Sequence, residues 1–224
     1  MATIKAIDLL KKVPAKAVDY EGLFEQQMAE LEKLKFTNEI IQSFREQKEA
    51  VLKYIGENHQ NGCIPFIPAI PVRVMNFIDQ YQKIGAPFTS TGDIYGTLNG
   101  FFHNEKSAHD ISDAMIKRPY FMVNLNLEDC PEKIDGCNKL NESQKAKGQN
   151  ILNHAETLML AHFASDIFSS YNQILAPGFS WDDYECAYIY KSSDFGFFCV
   201  GFKGSLTISP KEKTCLFTCT GRIY

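Results

Sequence analysis

His162 and Asp166 stand four residues apart, the spacing that puts two side chains on one face of a helix. There a carboxylate can hold one nitrogen of an imidazole and leave the other as a base or a ligand. A cysteine brought to that imidazole would serve as a nucleophile, because the thiolate and not the thiol is the reactive form. Cys186 and Cys199, both inside aromatic and apolar runs near the C-terminus, are the candidates. These four residues point to a hydrolase or transferase. The competing reading is a structural histidine satisfied by its neighbour at the edge of the core.

A second string, His154-Ala155-Glu156, stands where a helix is expected to start. Zinc-dependent nucleobase deaminases use a His-x-Glu at such a place, the imidazole binding zinc and the carboxylate shuttling protons. Those enzymes also need Pro-Cys-x-x-Cys. The downstream cysteines here, Cys215 and Cys219, are separated by three residues in a segment that reads as strand. Four residues along a strand span roughly 13 Å, too far for two thiolates to share one metal without a bulge. Glu156 is also accounted for locally, since Asn153 with Glu156 three residues later is a capping-box pattern.

Cys130 and Cys137 bracket a polar stretch and invite a metal site with Cys63 or His103, but their six-residue gap is not a zinc-knuckle spacing and no second close pair accompanies it. Gly92, Gly96 and Gly100 recur every four residues without the Lys-Ser/Thr of a phosphate-binding loop, so they read as turn formers. Gly-x-Ser-x-Gly, His-Glu-x-x-His and Ser-x-x-Lys do not occur. No metal and no other cofactor is therefore expected.

The remaining unusual feature is aromatic: 17 Phe and 10 Tyr, bunched at Phe101-Phe102, Phe195, Phe197-Phe198 and Phe202. Aromatics in a sheet mostly build core and otherwise line a ligand groove or a partner face. Phe101, Phe102 and His103, in a stretch rich in Gly, Thr and Asn, are the candidate ligand-binding residues.

Composition bounds the partners. With a formal net charge of −4 and Lys and Arg scattered, the chain lacks the clustered cations that nucleic-acid affinity begins with. The apolar stretch from Ile64 to Val72 is interrupted by prolines and is too short to cross about 30 Å of hydrocarbon, so no membrane is expected. Seven cysteines, an odd number lying mostly in apolar runs, read as reduced buried thiols and not as a disulfide framework. The first residues lack a basic region leading into an apolar run of about 7–15 residues, and a cytoplasmic location is expected. At 224 residues a compact fold buries about 70% of the surface of its extended chain, so the core needs no metal or disulfide.

The elements that must position these groups follow from periodicity. Asp19 caps a helix whose stripe is Leu23, Phe24, Met28, Leu31 and Leu34. Thr37 caps a second, with Ile40, Ile41, Phe44, Val51, Leu52 and Ile55 on one face, and the short link makes an antiparallel pair over residues 1–60. Residues 61–224 form the mixed domain. Its Cys63–Val72 stretch carries three prolines and suits an extended edge segment, with another helix starting beyond Pro71. Residues 85–106 read as a long ordered loop, Ser107 with Asp110 as the opening of a short helix, and Tyr120–Leu127 as a strand. Residues 128–150 read as a polar surface loop and residues 154–170 as a long helix. After Pro177-Gly178, the runs Tyr184–Lys191, Phe195–Phe202 and Thr214–Thr220 read as an antiparallel meander. Helices first and strands later make an α+β architecture.

Ile64-Pro65-Phe66-Ile67-Pro68, the strand Tyr120-Phe121-Met122-Val123-Asn124, the helix Thr157-Leu158-Met159-Leu160-Ala161-His162-Phe163 and the Cys- and Gly-containing closing strands together resemble a family of bacterial proteins that form a domain of unknown function. The likeness covers about residues 60–224. It implies an α+β bacterial domain without an assigned reaction and carries over no catalytic residue. The expectation is a protein that binds a small molecule or a protein partner through its loop-rich middle and aromatic sheet, without catalysis of its own. The alternatives are the cysteine enzyme built on His162 and Asp166 and, more weakly, a deaminase-like enzyme at His154 and Glu156.

Overall fold

The computed structural model describes residues 5–10, 18–84, 117–130, 133–134, 137–180, 186–191, 198–203, 206–207 and 213–224. Four helices open the fold: α1 (Ala6–Leu10), α2 (Tyr20–Lys33), α3 (Asn38–Arg45) and α4 (Lys48–Asn58). Both expected caps are made, the Asp19 carboxylate accepting from Gly22 N at 2.8 Å and the Thr37 hydroxyl from Ile40 N at 3.4 Å. The helix expected from Thr37 through Ile55 is two helices. The break falls at Glu46–Gln47, where the buried amide of Gln47 donates back to Ser43 O at 2.9 Å and across to Pro119 O at 2.8 Å. One side chain thus turns the helix and pins it to the entrance of the sheet.

The strands are β1 (Ile64–Ala69), β2 (Tyr120–Asp129), β4 (Asn150–Ile151), β5 (Gln173–Ser180), β6 (Cys186–Lys191), β7 (Phe198–Lys203), β9 (Thr214–Cys219) and β10 (Gly221–Ile223), with β3 (Lys133–Ile134) and β8 (Leu206–Thr207) paired apart. The spatial order is β1-β2-β9-β5-β6-β7, all antiparallel except β5 beside β9. β1 stands at one end of that order, as its prolines Pro65 and Pro68 require, because proline gives a neighbouring strand no N–H. Its outer edge is buried, and Gln27 of α2 bonds to it there, Nε2 donating to Phe66 O at 2.9 Å.

Three further expectations need correction. Residues 128–150 are not one loop: β2 runs on to Asp129, and α6 (Cys137–Ala146) follows β3. The helix expected over 154–170 stops early, α7 (His154–Phe163) giving way at Ala164 to a 3-10 helix (Ser165–Ser169). The last strands are not a simple meander. β5 begins at Gln173 and runs through Pro177-Gly178, with a register shift between Ala176 and Ser180, and β9 leaves its sequence neighbours to insert between β2 and β5. The expected loop at 85–106 and short helix after Ser107 lie outside the described residues.

α7 explains the architecture. His154 through Ala161 are all buried, the signature of a helix that is apolar all round and therefore central. It crosses one face of the sheet against β1, β5 and β6 and is covered in turn by α5 (Phe77–Lys83). The same core takes in the N-terminal helices: Phe121 of β2 meets Phe24 of α2 at 5.5 Å, Phe44 of α3 at 5.1 Å and Phe66 of β1 at 5.8 Å between ring centroids. The opposite face carries a smaller cluster, Leu140 of α6 with Ile151, Leu175 and Leu216. The helical segment 1–60 and the mixed body therefore share one interior. Among the described residues no helix is long and apolar enough to cross a membrane.

Candidate functional site

His162 lies in the last turn of α7, partly buried, with its ring edge-on to Phe163. Its Nε2 is 3.2 Å from Glu30 Oε1 of α2. Burial lowers its pKa, and the neighbouring Glu30 carboxylate only partly offsets this. Asp166 does not follow one helical turn later. Ala164, at φ −117 and ψ 35, has already ended the helix, and Asp166 belongs to the 3-10 turn beyond it. The carboxylate that orients the imidazole is Glu30, 132 residues away in sequence. Glu30 also holds Lys33 Nζ at 3.2 Å.

The two candidate nucleophiles sit in the outer strands. Cys186 opens β6 opposite Lys203, and Cys199 of β7 faces Tyr190 across the ladder. Their side chains are outside what is described, as are Phe101, Phe102 and His103 altogether. Of the other thiols, those of Cys63, Cys130, Cys215 and Cys219 are described. Cys63, Cys215 and Cys219 are buried and unbridged. Burial pushes the pKa of Cys63 up, that of Cys219 up to about 12 and that of Cys215 higher still. Cys215 pairs with Asp129 and Cys219 with Asn150, at opposite ends of β9, so the strand spacing that argued against a shared metal holds. Among the described residues no three His, Cys, Asp or Glu side chains are grouped to hold a metal ion.

Around His154 and Glu156 the structure builds something closed. Asn153 Oδ1 accepts from Glu156 N at 2.8 Å and Asn153 N donates to Glu156 Oε2 at 2.9 Å, completing the capping box. The fully buried carboxylate receives more: Tyr120 Oη donates to Oε1 at 2.7 Å, Arg222 Nε to Oε1 at 2.5 Å and Arg222 Nη2 to Oε2 at 2.9 Å. Burial alone would raise the Glu156 pKa, but the Arg222 guanidinium, with the Asn153 and Tyr120 donors, holds it below the usual carboxylate range. His154 packs edge-to-face on Phe77, 4.6 Å between centroids, and burial lowers its pKa to about 3, so the ring is neutral at neutral pH. Tyr120 and Arg222 were invisible to sequence reasoning, because they reach Glu156 from 36 and 66 residues away and no spacing rule connects them.

An open recess of about 580 Å³ forms where the C-terminal ends of α2 and α5 meet, lined by Lys33, Leu34, Lys35, Met75, Asp79, Gln82 and Lys83. Its geometry is set by local chemistry. α2 ends in a Schellman arrangement: Lys35 N donates to Glu32 O at 2.9 Å and Phe36 N to Leu31 O at 3.1 Å, with Lys35 at φ 58 in the left-handed position that glycine usually fills. α5 is capped by Asn76, whose Oδ1 accepts from Asp79 N at 2.9 Å and whose Nδ2 donates to Asp79 Oδ2 at 2.6 Å. Buried Gln80 ties the helix down by donating to Ile70 O at 2.9 Å and Met75 O at 2.7 Å. Lys83 Nζ then bridges the two helix ends, donating to Lys35 O at 2.6 Å while lying 5.6 Å from the Phe36 ring centroid. Among the described residues, three lysines and one aspartate line the recess. Comparison with known proteins returned no matching family model, no matching curated protein and no matching solved structure.

Proposed function

We propose that the chain works by binding a small ligand or a protein partner and performs no covalent chemistry of its own. The observation that carries this reading is the state of the buried reactive groups that the structure describes. The described buried thiols are held protonated by burial. His154 is held neutral in an aromatic wall, and Glu156 is neutralised by a cation that occupies both its oxygens. Each of these groups is spent on the fold, whereas the lysine-lined recess between α2 and α5 opens to solvent and offers ammonium donors.

Mild iodoacetamide treatment near neutral pH, followed by peptide mass spectrometry, tests the reading. An activated thiol labels far faster than a buried one, since only thiolate reacts. Uniformly slow labelling is the expected result. The second reading, a hydrolase or transferase, draws on the carboxylate contact that His162 makes with Glu30. It replaces the first if Cys186 or Cys199 outpaces its fellows and His162→Ala abolishes that difference.

A further inference from the structure

We infer that the recess between α2 and α5 is a binding site for a small anion bearing carboxylate or phosphate oxygens. This rests on the reading of the chain as a binding protein and gives it a place and a ligand class. The first support is charge. In a chain of net charge −4, Lys33, Lys35 and Lys83 converge on one recess, and the one carboxylate among its described lining residues, Asp79, is already bonded by the amide of Asn76. An anion finds there the opposite sign to the molecule as a whole.

The second support is preorganisation. It concerns Lys83, whose Nζ is held by Lys35 O and lies over the face of Phe36; Lys33 is 74% exposed in a surface pair with Glu30. The Lys83 ammonium keeps further N–H donors, and a side chain already fixed loses less entropy when a ligand arrives.

The third support separates a site from an ordinary helix end. Lysines in a last turn are expected, because they complement the negative end of the helix dipole, and that accounts for Lys33 and Lys83. It does not account for Lys35. This residue stands beyond α2 with φ 58, where glycine meets no steric penalty and a lysine does. Asn124 and Lys213 share this left-handed conformation, so it supports the site together with the place of Lys35 on the recess and not by itself. Leu34 and Met75 add an apolar part to the lining, which suits a ligand with a short hydrocarbon portion, and the volume falls in the range of small-molecule sites.

Calorimetric titration of the full chain with citrate and, separately, with inorganic phosphate near physiological ionic strength tests the site. At least one of the two should bind. Citrate alone identifies a carboxylate ligand, phosphate alone a phosphate ligand, and both the shared oxyanion chemistry. Lys35→Gly should weaken binding by about fivefold or more, the effect of one lost charged contact, while the melting temperature stays level or rises. Lys35→Gln, which keeps the backbone conformation and removes only the charge, should weaken binding to the same degree. Absence of binding by both anions overturns the inference, as does undiminished affinity in both variants. Such a failure alongside uniformly slow thiol labelling removes this site and leaves the binding-protein reading in place. A fast Cys186 or Cys199 that slows in His162→Ala removes that reading by an independent measurement.

Discussion

Glu156 and Arg222 form an ion pair in which the carboxylate has no exposed surface, and the consequence of separating them is asymmetric. Removing the cation strands a buried charge, so Arg222→Met should destabilise the protein by about 3–5 kcal/mol, and Glu156→Gln in the same chain should restore part of the loss. The sign with pH is also set. With Arg222 present, the Glu156 pKa is depressed, and the pair contributes stability above the ordinary carboxylate range that is lost as pH falls through the folded pKa. Without Arg222, burial raises that pKa, so the variant's deficit in a urea titration should be larger at neutral pH than in mild acid. His154 acts in the same direction. Between its ordinary value of 6.5 and its folded value of about 3, the unfolded chain takes up a proton that the folded chain refuses. That single group should lower stability by about 1.4 kcal/mol per pH unit across the window. Urea midpoints measured against pH should fall less steeply in His154→Leu than in the native chain.

At the level of elements, caps were legible and polar helices were not. Asp19, Thr37 and the Asn153–Glu156 box are local signals, and each starts a helix where expected. α6 gave no such signal because its run, Cys-Asn-Lys-Leu-Asn-Glu-Ser-Gln-Lys-Ala, turns only Leu140 and Gln144 inward among its described side chains, too little for an apolar period. The closing strands were expected only after Pro177-Gly178, whereas β5 starts at Gln173 and the sheet absorbs the dipeptide as an irregularity in the β5–β6 register. The candidate site was half visible. His162 could be singled out, but Glu30 meets it from another helix, and the recess joins Lys35 to Lys83 across 48 residues. The break between α3 and α4 turns on Gln47. Gln47→Ala should cost about 1–3 kcal/mol by leaving the Ser43 and Pro119 carbonyls without that donor, and chemical denaturation with intact helical circular dichroism at the start of the curve would measure it.

For the molecule as a whole, the sequence divided the chain near residue 60 while the interior does not. Phe24 and Phe44 from the helical segment close around Phe121 and Phe66 of the sheet, so a chain beginning at residue 61 exposes one side of its main core. That truncation should fail to give a cooperative melt or a dispersed amide spectrum, and Phe121→Ala in the full chain should lose about 3–5 kcal/mol. The α+β class was legible from the order of elements, but the strand order was not, because nothing in a periodic pattern says which strands become neighbours.

The position of β9 also bears on how the protein is made. β1 and β2 form one half of the main sheet, β5, β6 and β7 the other, and residues 214–219 join them. A ribosome delivers that joining segment after every strand it connects. Until then the nascent chain carries two open edges, those of β2 and β5, facing an empty slot, and such edges recruit stray strands. Chaperone holding of the growing polypeptide, released once β9 slots in, is the cellular demand this topology creates.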